Sequence, residues 1–260
     1  MDIRLDGRTA IITGGSKGLG LAMATKFAES GGTVVLAARD AAVCAEAETS
    51  INGKVQGAAK AIPTDVTDPV QCQALYDGAC AQFGKVDILV NNAGQSQTGK
   101  FEEITDEIWE ADIALKLMAQ VRMSRLCLPG MKERRWGRII NVLNVGAKAP
   151  RAGGAPTVVT RAAGMALSKV LAGEGAPFNV LVNAINTGIL VSDQWVRRYE
   201  EGSKKQSFEE FIAGMGKNVP LGRMGDAEEF ANLACFLASD AASYITGTAI
   251  NVDGGSSPVV

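Results

Sequence analysis

Short runs of β-branched and aliphatic residues alternate along the chain with longer stretches whose apolar positions recur at helical spacing. Arg8 to Thr13 reads as a first strand, Leu19 to Ser30 as a helix, and Thr33 to Ala38 as a second strand. Gly31-Gly32 stands between that helix and the next strand, where a helix-ending glycine belongs. A third strand is expected to end near Asp65. Asp68-Pro69 then opens a helix with an N-cap residue and a proline at the first helical position. Val86 to Asn91 is a fourth strand, and Thr105 to Met131 a long helical stretch that Pro129-Gly130 should interrupt near its end. Arg138 to Leu143 is a fifth strand, and Thr157 to Leu171 a helix rich in Ala, Leu, Met and Val. Asn179 to Ala184 and Thr248 to Val252 supply two more strands, with a helix over Ala227 to Ala238 between them. Strands separated by helical crossovers imply an α/β fold, with a doubly wound parallel sheet of about seven strands and helices on both faces.

The chain has 260 residues and carries no repeat, low-complexity tract or Pro/Ser-rich linker, so one domain over 1–260 is expected. Gly202 to Ser207 is the most loop-like interior stretch. A net charge of −2 gives no electrostatic reason to expect nucleic acid or an anionic membrane surface. No charged-then-apolar leader and no uncharged apolar run of roughly 18 residues is seen, so a cytoplasmic protein without a membrane span is expected. Five scattered cysteines, odd in number and without a C-x-x-C pair, read as reduced thiols. Histidine is absent, which excludes Ser-His and Cys-His nucleophile pairs and any His-ligated metal. No metal is expected.

Four motifs carry the chemistry. Thr13-Gly14-Gly15-Ser16-Lys17-Gly18-Leu19-Gly20 joins the first strand to the first helix, the context in which a glycine cluster acquires meaning. Gly14 would allow the tight turn, Gly18 and Gly20 would let a pyrophosphate approach the backbone, and the helix N-terminus favours its charge. Asp65-Val66, Asn91-Asn92-Ala93-Gly94 and Val252-Asp253-Gly254-Gly255 follow in that order. Together they resemble the short-chain dehydrogenase/reductase family over nearly the whole chain. The resemblance implies a Rossmann-like domain that binds a nicotinamide dinucleotide. It implies adenine contacts from Asp65 and Val66, a ribose side lined by Asn91, Ala93 and Gly94, with a structural role for Asn91 and Asn92 equally open, and a substrate lid over about 189–219. After the sixth strand the family pattern has Pro-Gly and then a carboxamide-holding Thr. This chain has Thr187-Gly188, then Leu190 and Ser192, which keeps a hydroxyl there.

Which dinucleotide binds is read from the end of the second strand, where NAD binders place an acid for the ribose hydroxyls. Ala38 stands at that position, followed by Arg39, and Lys17 points to the same region in family members that prefer NADP. Two cations without a carboxylate favour NADP(H) over NAD(H). The alternative is an Arg39 that pairs with Asp40 or lies in solvent.

The family's catalytic Asn, Ser, Tyr and Lys fall at Lys116, Asn144, Thr157 and Arg161. The register is fixed by Gly137-Arg138-Ile139-Ile140-Asn141 upstream and Arg161-Ala162-Ala163-Gly164 downstream. No tyrosine lies between Tyr76 and Tyr199, so a shift cannot restore the family's acid. A threonine hydroxyl is far less acidic than a phenol at ~10, and Arg161 keeps its proton while remaining able to bind ribose hydroxyls. Asn144 can donate to a carbonyl. Lys116 is expected to extend to solvent, the other reading being a buried, displaced general acid.

Three functions remain open. The first is an NADP(H)-dependent oxidoreductase of a small carbonyl or alcohol with a non-standard site. The second is a catalytically inactive NADP(H) sensor or partner subunit, and the third a non-redox lyase or isomerase in the same pocket. Many family members are tetramers built on their fifth and sixth helices, so a homo-oligomer, tetramer or dimer, is expected here through Val158, Ala162, Ala166 and Leu167.

Overall fold

The computed structural model describes residues 3–202 and 206–260. Seven parallel strands form one sheet in the order β3-β2-β1-β4-β5-β6-β7: Thr9–Thr13 (β1), Thr33–Ala37 (β2), Ala59–Ala61 (β3), Ile88–Asn91 (β4), Gly137–Asn144 (β5), Val180–Thr187 (β6) and Ala249–Val252 (β7). Nine α-helices accompany them among the described residues: Gly18–Glu29 (α1), Ala41–Lys54 (α2), Pro69–Phe83 (α3), Asp106–Ile113 (α4), Ala119–Glu133 (α5), Thr157–Gly175 (α6), Asp193–Glu201 (α7), Phe208–Gly216 (α8) and Ala227–Ala238 (α9). The expected doubly wound Rossmann-like sheet is therefore observed.

Alternation along the strands splits the core in two. Ile12, Leu36, Val90, Ile140 and Ile185 face one side, against Phe27 of α1 and Phe230 of α9. Ile11, Val35, Leu89, Ile139 and Val182 face the other, against Leu75 of α3 and Met123 and Met131 of α5. A sheet buried on both faces must be apolar on both, which is why these strands read as continuous runs. The strand order reverses between β1 and β4, and the crevice beyond their carboxyl ends is where such folds bind ligands.

Several boundaries differ from the sequence reading. β3 ends at Ala61, not near Asp65, because Pro63 has no N–H to continue the ladder. Ile62 and Thr64 nevertheless still donate to Leu36 and Ala38, at 2.9 Å each, and so carry Asp65 to the rim. Pro129 does not interrupt its helix: it lies inside α5, exposed, where the carbonyl it leaves unpaired can face water. The irregularity comes earlier, as a π-helical turn over Ala114–Met118 that joins α4 to α5 and carries Lys116. α2, α7 and α8 had no counterpart in the sequence reading; α2 buries only Cys44, Ala47 and Ile51, too few to make a clear stripe. Ser203 to Lys205, within the expected loop, lie outside the described residues.

The first glycine cluster is packed from inside. Gly14 has φ +64°, open to glycine with little strain, and a Cβ on Gly20 would lie 2.0 Å from the Gly14 carbonyl oxygen. Gly20 thus lets α1 close on the β1 turn instead of facing the crevice. Gly20→Ala must separate the two, and overpacking against backbone costs about 3 kcal/mol or more. The expected result is a fall in Tm of roughly 6–12 °C by thermal denaturation, together with weakened dinucleotide binding.

Candidate active site

The crevice above the switch point is a cleft of about 780 Å³ running from the ends of β1 and β2 to the ends of β5 and β6. Of the expected dinucleotide residues, Gly14, Ser16, Lys17, Gly18, Leu19, Arg39, Asp65, Val66, Ala93, Gly94, Arg161 and Ser192 line it, and so do Asn144 and Thr157. Four do not. Gly20 packs on Gly14 as above, and Gly188 backs onto Asp253, whose Cα would be 2.5 Å from an added Cβ. Leu190 is buried and forms a bridge with Gly225 beside a separate cavity. Asn91 is buried under the cleft and donates to Asn141 Oδ1 at 2.8 Å, tying β4 to β5.

At the adenine end, Lys17 and Arg39 are both exposed on the cleft wall. Asp40, also on the cleft rim, caps α2 by accepting from the Ala42 and Val43 amides at 3.0 and 3.1 Å. Asp65 accepts from the Thr67 amide and hydroxyl, and these bonds hold its carboxyl below the usual range, with Arg39 adding in the same sense. α1 begins at Gly18, and its N-cap residue Lys17 makes no side-chain cap. Its first amides are therefore open to an anion beside Gly18, which has φ +52°. Asn92 braces this turn by donating to the carbonyls of Thr13 and Gly14. An uncapped helix start, left-handed glycines and two free-standing cations fit a phosphorylated dinucleotide.

At the other end, three side chains converge from α4, the π-helical turn and α6. The expectation that Lys116 extends to solvent is wrong: it is 1% exposed. Its ammonium pairs with Asp112 Oδ1 and donates to Thr157 Oγ1 at 2.6 Å. The physical reason is that position 116 lies three to four residues from the buried Asp112, Ala119 and Gln120, on the helix face that packs inward. Asp112 Oδ2 in turn accepts from Thr160 Oγ1 at 2.7 Å. The Thr157 hydroxyl accepts from Lys116 and from the Gln97 amide, at 2.9 Å, and donates to the Gln97 carbonyl at 2.6 Å. Burial pulls the Lys116 pKa down, and Asp112 opposes the shift.

Arg161 lies against Gly94, where a Cβ would approach its Nη2 to 2.5 Å, and donates from Nη1 to the Val142 carbonyl at 2.7 Å. Burial lowers its pKa to about 10, which leaves it a cation at neutral pH. Asn144, at the end of β5, has a buried Oδ1 without a partner among the described residues. Asp112, Thr160 and Gln97 were not singled out from the sequence. The one available signal was an acid four residues before a lysine, which on most helices marks only a surface pair.

The sequence matches a family model described as enoyl-(acyl carrier protein) reductase over residues 14–257. A curated relative, the 3-oxoacyl-[acyl-carrier-protein] reductase of Escherichia coli, is 33% identical over 253 residues, covering 97% of this chain and 98% of the relative. The chain belongs to the short-chain dehydrogenase/reductase family. Among solved structures, L-sorbose reductase from Gluconobacter frateurii, complexed with NADPH and L-sorbose, superposes with a TM-score of 0.95 at 35% identity over 100% of both chains. An NADPH-bound short-chain oxidoreductase from Pseudomonas aeruginosa with an atypical catalytic center superposes with a TM-score of 0.92 at 35% identity over 99% of both chains. In this short-chain dehydrogenase/reductase, the four positions that resemble the family's catalytic set meet at one end of the cleft: Asn144, Thr157 and Arg161 on its wall, and Lys116 directly behind Thr157.

The buried ion pair dictates a stability pattern. Asp112→Ala strands a buried ammonium, and breaking such a pair from one side costs about 3–5 kcal/mol. Asp112→Leu combined with Lys116→Met removes both charges and should recover most of that loss in urea denaturation. Equal losses in the single and double variants would show that the charges are not what matters.

Proposed function

We propose that this chain is a cytoplasmic NADP(H)-dependent oxidoreductase that interconverts a small carbonyl compound and its alcohol, with Lys116 as the proton source. The observation that carries this reading is the 2.6 Å contact from Lys116 Nζ to the hydroxyl of Thr157, a cleft-lining residue between Asn144 and Arg161. NADPH-complexed relatives of the same fold support the choice of dinucleotide, as do the exposed cations Lys17 and Arg39 on the cleft wall. The fit of the uncapped α1 start and its glycines supports the binding mode. When bound, the reduced dinucleotide supplies the hydride.

The chain's own residues do the rest. The Asn144 amide donates to the carbonyl oxygen and polarises it. Arg161 holds ribose hydroxyls next to the backbone of Gly94, and Ser192 fixes the carboxamide. As negative charge develops on the oxygen, the Thr157 hydroxyl turns its proton from the Gln97 carbonyl to that oxygen and takes one from Lys116 Nζ. This leaves a neutral amine beside the Asp112 carboxylate. Threonine alone is too weak an acid, but as a relay it needs only to pass the ammonium's proton.

The region 189–219 acts as the lid. α7 and α8 are held together by Tyr199 against Phe208 and Phe211, with ring centroids 5.3 and 5.7 Å apart, which gives the lid region an aromatic core of its own. One observation favours the inactive sensor instead: the single proton of the Thr157 hydroxyl is already given to Gln97. A homo-oligomer is proposed through α6, where Val159 and Val170, 50% and 57% exposed, are the large apolar side chains left in water.

Lys116→Met, confirmed as folded, should lower kcat by roughly 10²–10⁴-fold against a panel of small ketones and hydroxyketones while leaving NADPH affinity unchanged. Wild-type turnover in this variant would remove the relay, and no turnover by the wild-type protein would favour the sensor. Arg39→Ala should weaken NADPH about 10- to 100-fold by calorimetric titration, the loss of a charge-assisted phosphate contact, with NADH affinity little changed.

A further inference from the structure

We infer that Asp112 is a positioning residue that keeps Lys116 charged and aimed at Thr157. The inference rests on the relay reading above, and the geometry behind it is independent of any ligand. Asp112 is buried on α4, four residues before Lys116, and both of its oxygens are engaged: Oδ1 by the Lys116 ammonium and Oδ2 by the Thr160 hydroxyl at 2.7 Å. Thr160 stands three residues after Thr157 on α6, so one carboxylate ties the π-helical turn to the helix that carries the cleft hydroxyl. Thr160 Oγ1 also lies 3.1 Å from the Thr157 carbonyl, and of these acceptors for its one proton the carboxylate at 2.7 Å is the nearer. Asp112 does not line the cleft and is not a catalytic residue.

The charged groups facing Lys116 are few. Asp112 attracts its ammonium from α4, and Arg161 repels it from α6. From the segment around Gly94 comes only backbone, a Cβ there lying 3.8 Å from Lys116 Cγ. An ammonium desolvated next to a guanidinium would tend to lose its proton, and a neutral amine has no proton to relay. The carboxylate reverses that balance. It also gives the lysine a fixed direction, since the same ammonium donates to Asp112 and to Thr157.

The test is Asp112→Asn, which keeps the shape and removes the charge. The group that must be protonated is Lys116, so turnover falls as pH rises through its pKa. Without the carboxylate that limb of the kcat/KM profile should move to lower pH by about 1–3 units, the shift that a close opposite charge typically produces. Lys116 is followed separately through the titration of its ¹³Cε resonance, assigned by its absence in Lys116→Met, and its midpoint should move by the same amount. Asp112→Glu retains the charge and should keep the limb near its wild-type place while kcat falls. This variant decides the matter if Asp112→Asn does not fold: a limb displaced as far as a neutral side chain predicts would overturn the inference. An unmoved Lys116 resonance in folded Asp112→Asn would also overturn it and leave Asp112 a structural tie. If the resonance moves but Lys116→Met turns over normally, the inference about Asp112 stands and the relay reading fails.

Discussion

A parallel sheet covered on both faces offers water only the ends of its strands, and everything polar in this protein is organised by that constraint. The interior residues of β1, β4, β5 and β6 are buried, so ligand-binding groups are confined to the turns beyond their carboxyl ends. The order reversal between β1 and β4 opens a crevice there, and the turn after β1 must pass close under α1 to border it. Gly14 and Gly20 make that approach possible at van der Waals contact. The cleft is thus a consequence of strand order and two missing side chains, more than of any particular polar residue.

Within this frame the buried Asp112–Lys116 pair is an unusual expense. Removing each ion from water costs several kcal/mol, and their attraction repays it only when geometry and hydrogen bonds are good. Here they are: Thr160 satisfies the second carboxylate oxygen, Thr157 takes a second ammonium proton, and Gln97 completes the hydroxyl's partners. An apolar pair would fill the same space without desolvating charge. A purely structural account therefore leaves the retention of two ions beside a cleft unexplained, whereas a proton source held out of water needs both members.

Much of the fold was legible because it rests on local rules. Ala227–Ala238 and the Asp68-Pro69 helix start follow from capping and periodicity alone, and the observed α9 and α3 begin where those signals stand. At the cleft's adenine end the glycine turn was readable because Gly14 to Gly20 are contiguous in sequence, and Arg39 because it follows the end of β2. Lys116 was not. It stands in helical step with the buried Asp112, Gln120 and Met123, but a lysine ordinarily carries its ammonium out to water from such a position. Asp112 and Lys116 have the i,i+4 spacing common among exposed pairs, and charged side chains of this kind are rarely buried unless paired. Gln97 and Thr160 were missed for a related reason, since their roles arise only where separate segments meet.

The two ends of the cleft also differ in how they are built, and this bears on how they can vary. The adenine end is made largely of backbone: an uncapped helix start and left-handed glycines that tolerate almost any neighbouring side chain. The reacting end is made of side chains whose hydrogen bonds interlock from α4 through the π-helical turn to α6. A change at any one of Asp112, Lys116, Thr157 or Thr160 leaves a buried group short of a partner and costs stability. Replacement of the whole set, with the dinucleotide turn left untouched, is the kind of variation such a division permits. It gives a physical reason why the residues at the two ends of the cleft need not follow one pattern when read one position at a time.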